Sequence, residues 1–124
     1  MENERGQTLV TLLFFMVIAL TITGGVVMVS VANSQALSSF DQGTSAYYVA
    51  ESGAENALLR LLRNPSYAGE TIQVGNGTAI VQIIPGASTT IVSTGQVGNF
   101  VRKIEVVVSF PSGTLMIISW KEIY

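Results

Sequence analysis

One long helix followed by a small antiparallel sheet, an α+β arrangement, is predicted by three features of this sequence. No charged residue lies between Arg5 and Asp41, and the run Leu9–Val31 is almost wholly apolar. From Asn33 to Asn64 there is no proline, and apolar residues recur at spacings of three and four, the period of a helix with one apolar stripe. After Pro65 the period changes to two, punctuated by Gly, Asn and Pro.

The first run sets the setting. As a helix, Leu9–Val31 spans about 35 Å at ~1.5 Å per residue, enough to cross a ~30 Å hydrocarbon core. A secretory signal peptide would also begin with an apolar core, but of about 7 to 15 residues behind a basic start. Here the run is longer and the opening MENER carries two acids and one base, although Ser34-Gln35-Ala36 offers small residues for such a cut. Gly24 and Gly25 sit in the middle of the run. Each costs about 1 kcal/mol relative to alanine in a helix interior, which marks a helix hinge or, equally, small residues that ease packing in lipid.

The second run is amphipathic, with Leu37, Phe40, Tyr47, Tyr48, Ala54, Leu58, Leu61 and Leu62 as its apolar positions, and Pro65 stops it. A helix unbroken from Leu9 to Arg63 would be about 80 Å long. Ala46, Ala50 and Ala54 recur every four residues, with Gly53 and Ala57 beside them. Such a face admits close approach, either by the chain's own sheet or by another subunit. Arg60 and Arg63 suit the negative pole of the helix dipole.

The remainder reads as five strands. Thr71–Val74 and Thr78–Ile84 form a hairpin through Gly75-Asn76-Gly77, where Asn-Gly is expected to supply the positive φ angles of a tight turn. Pro85-Gly86 leads to Thr89–Thr94, Val97-Gly98-Asn99 turns into Phe100–Phe110, and Pro111-Ser112-Gly113 leads to Thr114–Ile123. Short connections throughout predict an antiparallel meander. A sheet this small cannot cover both of its faces, and the amphipathic helix is the available cover.

Composition narrows the chemistry. Six basic and eight acidic residues give a formal charge of −2, with no basic arm, so the electrostatic footprint of nucleic-acid binding is missing. There is no cysteine and no histidine, hence no thiolate nucleophile or ligand and no imidazole base. Glu51 and Glu55 lie one helical turn apart, but two carboxylates without a further ligand make at most a weak cation site. Tyr47, Tyr48 and Trp120 could line a ligand face, with core packing the plainer fate for aromatics on a stripe. No catalytic residue, metal site or cofactor is assigned, and the chain is read as a non-enzyme.

At the edge of the apolar run, Arg5-Gly6-Gln7-Thr8-Leu9-Val10 resembles the processing junction of type IV prepilins, in which a short hydrophilic leader ends in a basic residue and glycine. The segment Ala46-Tyr47-Tyr48-Val49-Ala50-Glu51-Ser52-Gly53-Ala54-Glu55-Asn56-Ala57-Leu58 is similar to the corresponding helix of PilX-like minor pilins, and Ile91–Gly95 with Arg102–Val106 to the sheet region of pilin-like proteins. The resemblance implies a pilin-like fold divided as leader 1–6, membrane or filament-core half 7–32, amphipathic half 33–64 and sheet region 65–124. It implies cleavage between Gly6 and Gln7 by a prepilin peptidase at the cytoplasmic face. Two departures stand out: the residue after the cut is usually Phe and is Gln7 here, and the fifth mature residue is usually Glu and is Thr11 here.

On this resemblance the chain is a structural subunit of a type IV pilus or a type II secretion pseudopilus. Its partners are the membrane, other pilin or pseudopilin subunits and the assembly platform. It would start in the inner membrane with the C-terminal domain outside the cytoplasm, then enter a filament. The missing acid at Thr11 suits a minor subunit at the filament tip, which has no predecessor whose terminal amine needs a partner. The alternatives are a single-pass membrane-anchored β domain that binds a partner without polymerising, and a secreted β domain released by signal peptidase.

Overall fold

The computed structural model describes the backbone of residues 2–124 and the side chains from Asn3 onward. Helix α1 (Glu2–Arg63) is followed by β1 (Thr71–Val74), β2 (Gly77–Ile84), β3 (Thr89–Val97), β4 (Phe100–Ser109) and β5 (Met116–Ile123), with a 3-10 turn at Pro111–Gly113 before the last strand. The chain divides into two compact units, with the boundary between Ser38 and Ser39.

The described residues of the first unit all belong to α1, which is helical through Gly24 and Gly25. Its threonines satisfy their own hydroxyls. Thr8, Thr11, Thr21 and Thr23 donate to the carbonyls of Glu4, Gln7, Val17 and Ala19, four residues back, at 2.8–2.9 Å. Hydroxyls bonded in this way need no water, so they are compatible with an apolar surrounding.

In the second unit the remainder of α1 lies on one face of the sheet, whose order is β1-β2-β3-β4-β5 with every neighbour antiparallel. This is the α+β meander predicted, with β3 three residues longer than expected and β4 ending one residue sooner. Alternation decides what is buried: Ala79 and Val81 from β2, Ile91 and Ser93 from β3, and Ile104, Val106 and Val108 from β4 face the helix. From α1 they meet Ala46, Val49, Ala50, Ala54, Ala57 and Leu61.

The helix stripe is not the one built from large apolar residues. Leu61 is buried, and Tyr47 and Leu58 are half-buried against the core, but Leu37, Phe40, Tyr48 and Leu62 are exposed by 71%, 77%, 59% and 57%. Between Ala46 and Ala57 the sheet sits so close to α1 that the buried helix positions are, Val49 apart, alanine and glycine. Of the aromatics considered as a ligand face, Tyr47 and Trp120 pack on the core while Tyr48 points away.

The first turn also differs from the Asn-Gly expectation. The first hairpin closes at Val74↔Gly77, so its central residues are Gly75 and Asn76, and the positive φ of +59° belongs to Gly75. The third hairpin repeats this arrangement, closing at Val97↔Phe100 around Gly98 at +57° and Asn99. Glycine at the first central position, with Asn second, fits the type II′ family of hairpin turns.

Candidate functional site

The most prominent surface is the apolar part of the first unit. Leu9, Leu13, Phe14, Phe15 and Leu20 are exposed by 66–69%. The most apolar 18-residue window of α1 has a mean hydropathy of 2.6, and none of it is buried by the rest of the chain. Exposed apolar area costs about 25 cal/mol per Å² in water, so a surface of this extent calls for lipid or for other apolar chains. Gly6 and Gln7 lie just ahead of it and Thr11 within its first turn, all exposed, and a Cβ at Gly6, Gly24 or Gly25 would meet nothing within 4 Å. Thr11 turns its hydroxyl back to the Gln7 carbonyl at 2.9 Å.

The second feature is the seam between α1 and the sheet. Ala46, Ala50, Gly53, Ala54 and Ala57 are all buried there. A Cβ added at Gly53 would collide with the Ser93 hydroxyl and stand 2.8 Å from the Ala79 methyl. At Gly95 it would run into the helix backbone itself, the Ala46 carbonyl and the Ala50 amide. Gly77 is confined in the same way, with Val49 Cγ2 at 2.7 Å and Val97 Cγ2 at 2.8 Å from the position of its missing Cβ. The Ser93 hydroxyl, fully buried in this seam, has no hydrogen-bond partner among the described residues. Gly77, Ala79, Ser93 and Gly95 were not singled out from the sequence as a packing set. The available signal was small residues at alternate positions on neighbouring strands, the complement of the small-residue stripe on the helix.

Beyond the helix end, Glu70 gathers the connection to β1. One carboxylate oxygen accepts from Asn56 Nδ2 at 3.0 Å and from the Tyr67 hydroxyl at 3.1 Å, and lies 3.2 Å from Arg60 Nε. The Glu70 carbonyl accepts from the Val81 amide at 2.8 Å. Burial, then the hydrogen bond to Glu70 and its negative charge, push the Tyr67 phenol up to about 12. Arg60 therefore does more than meet the helix dipole. Arg102 pairs with Glu122 at 2.5 Å, and this hydrogen bond and the attraction behind it raise the Arg102 guanidinium above its ordinary value. Lys121 pairs with Glu105 at 3.2 Å.

Other groups do not converge. Glu51 is half-buried and Glu55 exposed. A shallow cleft of about 240 Å³ beside Pro65, Tyr67 and Pro85 presents few polar groups, because the Tyr67 hydroxyl is committed to Glu70. The outer face of α1 in the second unit, opposite the sheet, carries exposed Tyr48, Leu59 and Leu62.

No family model matches the chain, and no curated protein or solved structure is significantly similar to it. What fold and surfaces define is a class: an α+β helix-on-sheet protein with one N-terminal helix long and apolar enough to cross a membrane.

Proposed function

We propose that this chain is a structural subunit of a type IV pilus or related secretion pseudopilus, a minor one placed at or near the filament tip, held first in the membrane and matured by cleavage after Gly6. The observation that carries the reading is the wholly uncovered apolar segment at the start of a helix whose later residues are seated on a sheet. One apolar surface can serve two settings, lipid before assembly and a bundle of like helices afterwards. The back-bonded threonines suit both, since neither setting offers water. The reading gives the chain no catalytic role, metal or cofactor.

The tip placement rests on Thr11. A terminal amine carried into an apolar surrounding is costly, at least ~2.5 to 3.5 kcal/mol on insertion scales, unless a neighbour supplies an acid. Thr11 supplies a hydroxyl already used by Gln7. A subunit without the acid is least compromised where it has no predecessor. Immunogold labelling of filaments tests this: label confined to ends supports it, and uniform label along the shaft overturns it.

The second reading, a membrane-anchored β domain that does not polymerise, is supported by the same uncovered helix. N-terminal sequencing of the mature protein separates the two. A start at Gln7 supports the filament subunit, an intact Met1 the plain anchor, and a start at Leu37 a secreted domain. Replacement of Gly6 by Val should block maturation, since a β-branched side chain obstructs the backbone approach that glycine permits a protease.

A further inference from the structure

We propose that Asn76 is a site of spontaneous intramolecular modification, in which its side-chain amide is converted to aspartate and isoaspartate through a cyclic imide formed with the Gly77 backbone nitrogen. The inference is independent of the function proposed above.

The chain has six asparagines, and the structure distinguishes this one from the rest. The reaction needs a following residue whose backbone nitrogen can reach the side-chain carbon, and a side chain free to turn toward it. Asn64 is followed by Pro65, which has no N–H, and its Oδ1 already accepts from the Ser66 amide at 3.0 Å. Asn56 is held in α1 and donates to Glu70. Asn3 and Asn33 also lie within α1, where the helical backbone fixes the next amide away from the side chain. Asn99 occupies the equivalent place in the third hairpin, but Phe100 follows it and hinders approach to the nitrogen.

Asn76 alone is followed by glycine. It is exposed at the second central position of the first hairpin, and its side chain makes no hydrogen bond among the described residues. Gly77 is glycine for a separate reason, since Val49 and Val97 leave no space for a Cβ. Packing against α1 thus requires glycine next to an exposed amide, so although Gly77 is itself buried, no side chain of residue 77 stands beside the attacking nitrogen. The Gly77 nitrogen lies in the rung of the β1–β2 ladder that closes the turn, Val74↔Gly77, and the reaction requires it to leave that rung.

The chemistry balances with water alone. Base removes the Gly77 N–H proton, the nitrogen bonds to Asn76 Cγ, and the bond from Cγ to the amide nitrogen breaks with release of ammonia. Water then opens the imide. Cleavage of the bond to the side-chain carbonyl gives aspartate, and cleavage of the bond to the main-chain carbonyl gives isoaspartate. The isoaspartate form lengthens the turn by one backbone atom. Gly77 is buried against Val49 and Val97, whereas β1 is an edge strand of four residues, so the displacement falls on β1.

The test holds the full-length protein in detergent at mildly alkaline pH, alongside the same protein unfolded in denaturant. Each asparagine is followed by fragment mass spectrometry, and isoaspartate by an isoaspartyl methyltransferase assay. The proposal expects the folded sample to convert at Asn76 well ahead of Asn64 and Asn99, to accept methyl groups, and to lose that acceptance in Asn76→Gln. It also expects faster amide exchange over residues 71–74 in the isoaspartate fraction. An Asn76 still intact in the folded sample after its conversion in the unfolded one overturns the proposal, because the hairpin then protects the site. Equal conversion at Asn99 overturns it as well.

Discussion

Gly95 of β3 lies directly against the backbone of Ala50 in α1, with no space between them for a methyl group. A helix and a strand that meet through main-chain atoms are fixed more closely than any pair that meets through side chains. Around this point the other small residues follow: Gly53 over Ser93 and Ala79, Ala46 and Val49 over Ala79 and Val97.

Gly95→Ala should therefore destabilise the second unit by about 3 kcal/mol, the upper part of the usual range for overpacking, because neither the Ala46 carbonyl nor the Ala50 amide can rotate away. Gly53→Ala should cost less. Its new methyl meets side chains, the Ser93 hydroxyl and the Ala79 methyl, rather than main chain, and alanine recovers about 1 kcal/mol of helix propensity. Denaturant titration followed by Trp120 fluorescence measures both, and equal costs would show that the main-chain contact is not the controlling one.

Ser93→Ala should raise stability by about 1 kcal/mol. A buried hydroxyl without a partner costs ~1–3 kcal/mol, and alanine removes it while leaving the seam as narrow as before. A fall in the unfolding midpoint would mean that Ser93 has a partner in solution.

Most of the fold was legible because its signals are local. The apolar run, the stop at Pro65 and the period-two segments each depend on residues close in sequence, and they gave one helix and five strands in order. The seam was only half legible. Ala46, Ala50, Gly53, Ala54 and Ala57 form a visible stripe, but their counterparts Gly77, Ala79, Ser93 and Gly95 become a surface only once the β2–β3 register aligns Ala79 with Gly95. For the same reason the large residues of the helix were assigned inward: hydrophobic periodicity marks apolar positions without showing how near the sheet comes. The Glu70 cluster was not legible at all, since Asn56, Arg60, Tyr67 and Glu70 meet through a loop whose path follows from Gly69 at φ +110°.

Tyr67 gives the unit an alkaline limit. Its phenol is raised from 10.0 to about 12 in the folded chain, so the neutral form is favoured by folding. That contribution is complete below pH 10 and is lost as pH rises toward about 12, where tyrosinate would face the Glu70 carboxylate. The informative quantity is the difference from Tyr67→Phe, which isolates this one phenol. Unfolding midpoints of the two proteins should converge across this window, and a constant gap would place the cause elsewhere.

Leu20 and Leu59 are both exposed leucines of α1, at 69% and 57%, and the same substitution at each separates membrane insertion from general solubility. Leu20 lies centrally in the apolar run, where arginine costs about 2.5–3.5 kcal/mol on insertion scales. Leu20→Arg should thus lower the fraction of the protein that resists extraction from membranes by alkaline carbonate. Leu59 lies in the second unit, on the face of α1 turned away from the sheet, and a charge there meets only solvent in the isolated chain. Leu59→Arg should leave membrane retention unchanged. If both variants are retained like the parent, the apolar run does not hold this chain in a bilayer. If both are lost, the effect comes from folding, which the Trp120 fluorescence of each purified variant would reveal.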